Sequence, residues 1–289
     1  MKLARTEPGP RGGARLGWTR HSLTLLGGFL LTLLLIGYVW WPLAADYLAT
    51  FNPRYPWWVQ VDWLLVGIFL AMSGLIMAGA DLRRDLLIVG VGLAGGLVIE
   101  AWGTQTNLWH YYTLERPPLW IVPAWPIASL AIDRLYRLLD RLTIDSERWA
   151  AAVRMPRFSA ISHRPSSLVY WLVFPAFYAL LLAFVWPTLD KPLTLAALAA
   201  TALLIATPGD PRAANLTFVA GSGLGYFLEL WGTTRACWIY YTGETPPLFA
   251  VLAHGLAAVA FWRTGQLLMA LRPAWLRTPP PGHTGVEPP

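Results

Sequence analysis

A single cysteine in 289 residues, Cys237, rules out an internal disulfide and any cysteine-built metal site. Charge is scarce too: Asp, Glu, Lys and Arg make up 13% of the chain, against 56% apolar residues. That balance excludes an ordinary soluble α/β or all-β domain and leaves a chain whose solvent is lipid. Also missing are HExxH and related helical metal-ligand spacings, the glycine-rich phosphate loop, the serine nucleophile elbow and the kinase signatures. No metal and no cofactor is expected. The net charge of +6 is strung between apolar runs and forms no patch, so no nucleic acid partner is expected either.

What the chain has instead is long apolar runs and 17 tryptophans. A helix needs about 20 mostly apolar residues to cross the hydrocarbon core. Runs near 22–45, 59–80, 84–102, 118–138, 166–188, 192–208, 213–231 and 247–271 meet that need. They predict an all-α polytopic bundle of about eight transmembrane helices. The first run is too long for a cleaved signal peptide, so it is read as a retained span. With this topology, of the 22 Lys and Arg only Arg54, Arg116, Lys191 and Arg235 fall on one side, leaving 18 on the other. The bias predicts a multi-pass protein of the cell membrane with both termini cytoplasmic.

One stretch occurs twice. IEAWGTQTNLWHYYTLERPPL (99–119) returns as LELWGTTRACWIYYTGETPPL (228–248), with 12 identities in 21 positions at a constant offset of 129. Chance gives about one or two at ordinary residue frequencies. Upstream, at the same offset, Asp81 matches Asp210, Arg83 matches Arg212, Gly92 matches Gly221 and Gly96 matches Gly225. The expected organisation is a cytoplasmic N-terminal tail (1–21), a first four-helix repeat (22–140), a cytoplasmic linker (141–165), a second repeat (166–271) and a disordered tail (272–289). An even number of spans per repeat makes the halves parallel. The basic linker carries Trp149, Met155 and Phe158, which suit either contact with anionic lipid or a plain connection.

Glu100 and Glu229 fall at the ends of apolar helices, behind glycines spaced four apart that let another helix approach. An intramembrane carboxylate is costly and points to function. Against this stands the bland reading: a glutamate near the interface snorkels, and Trp and Tyr form the usual interfacial belt. The candidate binding residues are Trp102, Thr106, Trp109, Tyr111 and Tyr112 in the first copy, and Trp231, Trp238, Tyr240 and Tyr241 in the second. The copies differ where the first has His110 and Trp125 and the second has Ile239 and His254. Either histidine suits proton transfer, since imidazole titrates near neutral pH. Asp62 is accounted for by a helix start, and Asp133 by ion pairs with Arg134 and Arg137 at a cytoplasmic helix end.

The first copy, with Glu100, Gly103, Thr106, Tyr112 and a downstream Pro123, resembles the motif region of the membrane-integral carotenoid-synthesis family, which includes hydratases of acyclic carotenoid ends. It departs from that motif at Thr106 to His110, and Arg235 replaces the threonine in the second copy. The resemblance implies an apolar isoprenoid substrate entering from the bilayer and a carboxylic acid that protonates an alkene. It makes Glu100 the acid, gives His110 or a tyrosine the return proton, and makes Glu229 a second acid or a structural partner. Ring faces of Trp102, Trp109, Tyr111 and Tyr112 would stabilise the carbocation. A transporter with glutamates facing a central path, or a non-catalytic membrane scaffold, remains open, as does the oligomeric state.

Overall fold

The computed structural model describes residues 17–152, 164–207 and 209–271. In order, the helices are α1 (Ser22–Val39), α2 (Trp41–Ala49), α3 (Trp57–Gln60), α4 (Trp63–Met77), α5 (Leu82–Gln105), α6 (Ala124–Ala152), α7 (Arg164–Val185), α8 (Pro192–Ala206), α9 (Pro211–Thr234) and α10 (Leu248–Ala270). Four segments, Ser22–Val39, Leu82–Gln105, Ser166–Thr188 and Leu248–Ala270, are long and apolar enough to cross a membrane. The protein is a helical membrane protein by that criterion. Helix starts follow ordinary capping chemistry. The carboxylates of Asp62, Asp81 and Asp210 accept from the N–H groups of Leu65, Arg83 and Ala213 at 3.2, 3.1 and 3.1 Å.

Three runs are bounded differently from the sequence reading, and the one near 59–80 divides at Val61 and Asp62 into α3 and α4. The first apolar run breaks at Trp40, because Pro42 in the first turn of α2 has no N–H for the preceding helix. The run near 118–138 starts later, at Ala124, and continues to Ala152. It thus passes the expected repeat boundary at 140 and enters the expected linker. Beyond Pro126 in its first turn no Gly or Pro interrupts it, and a contact between Asp133 and Arg137 at i, i+4 supports the turn where it becomes polar. The side chain of Trp149, Met155, Phe158, residues 1–16 and the tail from 272 lie outside the described residues.

At the centre α5 packs on α6, α9 packs on α10, and α6 packs on α9. Glycine makes these approaches possible. A Cβ on Gly92 would run into Pro126 and Ser129, and one on Gly96 into Trp125. On α9, a Cβ on Gly221 would meet Ala258 and Gly255, and one on Gly225 would meet His254. At the other end of α5 a fully buried ion pair joins the helices, Asp85 to Arg134 at 2.6 Å. Arg134 also reaches Asp133 at 2.6 Å and the Ala78 carbonyl at 2.9 Å, so its guanidinium fork is engaged on three sides. Asp133 is the hub of local ion pairs with Arg84, Arg134 and Arg137.

The bundle is not wholly helical. Residues Trp109–Tyr111 (β1) and Trp238–Tyr240 (β2) pair antiparallel, with Trp109 opposite Tyr240, His110 opposite Ile239 and Tyr111 opposite Trp238. The Tyr241 N–H donates to the Leu108 carbonyl at 3.0 Å, and Tyr112 N–H to that of Cys237 at 3.3 Å, extending the ladder at both ends. Each strand follows a helix closed by a left-handed residue, Asn107 after α5 and Ala236 after α9.

Candidate functional site

Both glutamates arrive at the ladder from the last turns of α5 and α9, and they are 3% and 2% exposed. Along each strand, alternate side chains face one way. The first and third residues of β1 and β2 therefore meet the carboxylates, and the middle residues face away. Glu100 accepts from the Tyr111 hydroxyl at 2.9 Å and from the indole N–H of Trp109 at 3.2 Å and Trp125 at 3.0 Å. Glu229 accepts from Tyr240 at 2.8 Å and Trp238 at 2.9 Å, and its third neighbour is His254, whose Nδ1 lies 3.5 Å away. Burial, with the adjacent carboxylate adding to it, pushes the Tyr111 and Tyr240 phenols well above the ordinary tyrosine range. Both hydroxyls are therefore donors at any ordinary pH.

Gly103 and Gly232 explain the Trp-Gly-Thr triplets. A Cβ at either would overlap the indole of Trp109 or Trp238, so only glycine lets those rings lie across the helix and reach the carboxylate. The two half-sites meet through the third neighbours. Trp125 and His254 stack, with ring centroids 5.9 Å apart and planes 9° from parallel. Contacts of Trp109 with Tyr240 (5.8 Å) and Tyr111 with Trp238 (6.0 Å) complete an aromatic layer around both acids.

The acids, Trp109, Tyr111, Trp125, Trp238, Tyr240 and His254 line an overwhelmingly apolar cavity of about 1050 Å³. Aliphatic, small and phenylalanine side chains of α1 and of α4 to α10, among them Phe69, Phe184, Phe249 and Phe261, form most of its other walls. Trp102 and Trp231 also line it. Trp102 donates to Thr194 at 3.0 Å, while Trp231 donates to Asp62 at 2.9 Å, where Arg235 also binds at 3.0 Å. Asp62 thus joins a helix cap to an ion pair and stands outside the acid cluster.

Other expected site residues have different places. His110 is exposed on the far face of the ladder, so the structure does not bring it to Glu100. Its position in β1 decides this, because its neighbours on either side face the acid. Thr106 closes α5 by donating to the Trp102 carbonyl at 2.7 Å. Tyr112 donates to the Val39 carbonyl and Tyr241 to that of Phe184, at 2.8 Å for the latter, so these tyrosines fasten the loops to the ends of α1 and α7. Two participants were not singled out from the sequence as site residues. Trp125 gives Glu100 its third donor, and its match in position to His254 was the available signal. Trp40 packs on Trp231 at 5.0 Å and on Trp120 at 5.7 Å, but nothing in its local sequence marks it. Neither a family model, nor a curated protein, nor a solved structure matches the chain.

Proposed function

We propose that the chain is a multi-pass enzyme of the cell membrane, whose paired glutamates protonate the alkene end of an acyclic isoprenoid lipid of carotenoid type. In this reading α1, α4, α5, α6, α7, α8, α9 and α10 cross the bilayer as two parallel repeats of four, with both termini cytoplasmic. What supports the repeat is the 24-residue length of both α5 and α9, together with strands that begin at Trp109 and Trp238. All start 129 residues apart, the offset found in the sequence.

The observation that carries the functional reading is two buried carboxyl groups at the wall of one large apolar cavity. Their neighbours are Trp, Tyr and His, where a purely structural carboxylate would favour an arginine partner. A carboxyl proton moves to the less substituted carbon of the end alkene, the π pair forms the new C–H bond, and a tertiary cation remains. Water then forms the C–O bond and returns its proton, so the net change is addition of one water; loss of a neighbouring proton instead gives an isomer, and attack of the next alkene's π pair on the cation before that loss gives a ring. The faces of Trp102, Trp109, Tyr111 and Trp238 suit the cation, each worth roughly 0.5–2 kcal/mol. Against alternating-access transport, β1 and β2 tie the two halves together, so the halves cannot rock apart without breaking that ladder.

The test is mass spectrometry of pigments and lipids extracted from cells that make acyclic carotenoids and express the wild type, Glu100→Gln or Glu229→Gln. A product heavier by one water, or an isomer of new retention, should appear with the wild type and fall in a glutamine variant. An unchanged lipid profile in all three would sink the enzymatic reading.

A further inference from the structure

We propose that the two acids are unequal: Glu229 is the working acid, His254 is the residue that recycles its proton, and Glu100 is the poorer copy. This rests on the enzymatic reading above. The difference lies in the third neighbour. Glu100 is closed by three donors, and the last of them, Trp125 Nε1 at 3.0 Å, gives a hydrogen bond but cannot exchange a proton under ordinary conditions. At the matching place Glu229 has an imidazole, with Nδ1 3.5 Å from Oε1.

The imidazole is held for this work. Its Nδ1 lies 2.9 Å from the Ala250 carbonyl, which only accepts, so Nδ1 carries the hydrogen and Nε2 keeps its lone pair. Among the described residues no hydrogen bond engages Nε2. The side chain is 21% exposed and lines the cavity. Gly225 on one side and the parallel face of Trp125 on the other fix the ring plane. The titratable groups lining the cavity among the described residues are Glu229 from α9, Glu100 from α5 behind Trp125, Tyr111 from β1, Tyr240 from β2 and His254 itself. The lining residues from α1, α4, α6, α7 and α8 bring none.

The proton balance closes. Glu229 gives its proton to the alkene, and the resulting cation takes the oxygen of a water. The proton lost by that water goes to Nε2, which places an imidazolium beside the Glu229 carboxylate. Transfer of the Nδ1 hydrogen to Oε1 then restores the acid and leaves the ring neutral with its hydrogen on Nε2; water entering the cavity takes that hydrogen and returns one to Nδ1, so the starting tautomer is regained with no net gain or loss of protons.

The experiment has two readouts. With product formation in the carotenoid-making cells or their membranes, Glu229→Gln should lose at least ten-fold more product than Glu100→Gln. His254→Gln should fall about 10²-fold, in the range of general acid–base catalysis, and lose one limb of the pH profile. His254→Ala should be partly restored by added imidazole, and Glu229→Gln should not. The second readout needs no substrate: indole fluorescence of the purified protein, taken as the difference from Trp125→Phe, should titrate as the stacked imidazole charges. That step should vanish in His254→Gln and move in Glu229→Gln. A larger loss in Glu100→Gln, or an unaltered pH profile in His254→Gln, overturns the assignment while the enzymatic reading stands. Absence of product from the wild type, with the fluorescence step present and coupled to Glu229, removes the enzymatic reading and leaves the proton pair.

Discussion

Replacing Gly232 by alanine tests whether the tryptophan that crosses α9 is held by its hydrogen bond to the buried acid. The added methyl overlaps the indole of Trp238, which must move. Overpacking of this kind costs about 1–3 kcal/mol. Moving the ring also breaks its 2.9 Å hydrogen bond to Glu229 and leaves a buried polar group short of a partner, which costs about 1–3 kcal/mol. Alanine returns about 0.5–1 kcal/mol through its better helix propensity. The net expectation is a loss of about 2–5 kcal/mol, which by the scaling for chains of 150–250 residues lowers the apparent Tm by about 10 °C. The control is Gly223→Ala on the same helix, where a new Cβ meets nothing within 4 Å. It should hold Tm level or raise it by a few degrees. Both are read as thermal loss of the monodisperse peak of detergent-solubilised protein in fluorescence-detected size exclusion. Equal shifts for the two variants would refute the reasoning, since helix propensity alone would then account for both.

Breaking the buried ion pair by Asp85→Asn or Arg134→Met should destabilise by about 3–5 kcal/mol, while the double change Asp85→Leu with Arg134→Met should recover much of it, as the same thermal assay reads. Burial pushes the Cys237 thiol up to about 12, so at pH 8 very little of it is the reactive thiolate. A soluble maleimide should label the folded protein very slowly, and faster as pH rises; rapid labelling at pH 7 without denaturant would contradict that burial.

The apolar runs revealed helices because helix length and lipid solubility are written in composition. Each of the eight runs falls largely within a helix, and the four-residue glycine spacing lies where α6 and α10 press on α5 and α9. Glu100 and Glu229 stood out because a carboxylate in an apolar run is rare. The ladder was not legible, since three residues are too few to show an alternating pattern and its partner lies 129 residues away. That omission also hid the fate of His110, whose direction is set by strand alternation. Tyr112 and Tyr241 illustrate another limit. They have the same residue type and spacing as the tyrosines that meet the acids, yet they serve as loop fastenings, and only the third dimension separates the roles. The Asp85 to Arg134 pair joins residues 49 apart in sequence, with nothing local to either that announces the other.

The strand pairing carries a consequence for how the chain is made. Backbone groups of 109–111 lie against a layer of buried aromatic rings, and a buried N–H or C=O left unpaired is expensive. Their partners are not synthesised until residue 240 has left the ribosome. Until then the first half is an incomplete object, with its loop unpaired and one side of Glu100's aromatic surround missing. Maturation of this protein is therefore a late event in translation, and a chain stopped short of β2 presents quality control with an exposed edge and not with a smaller working protein.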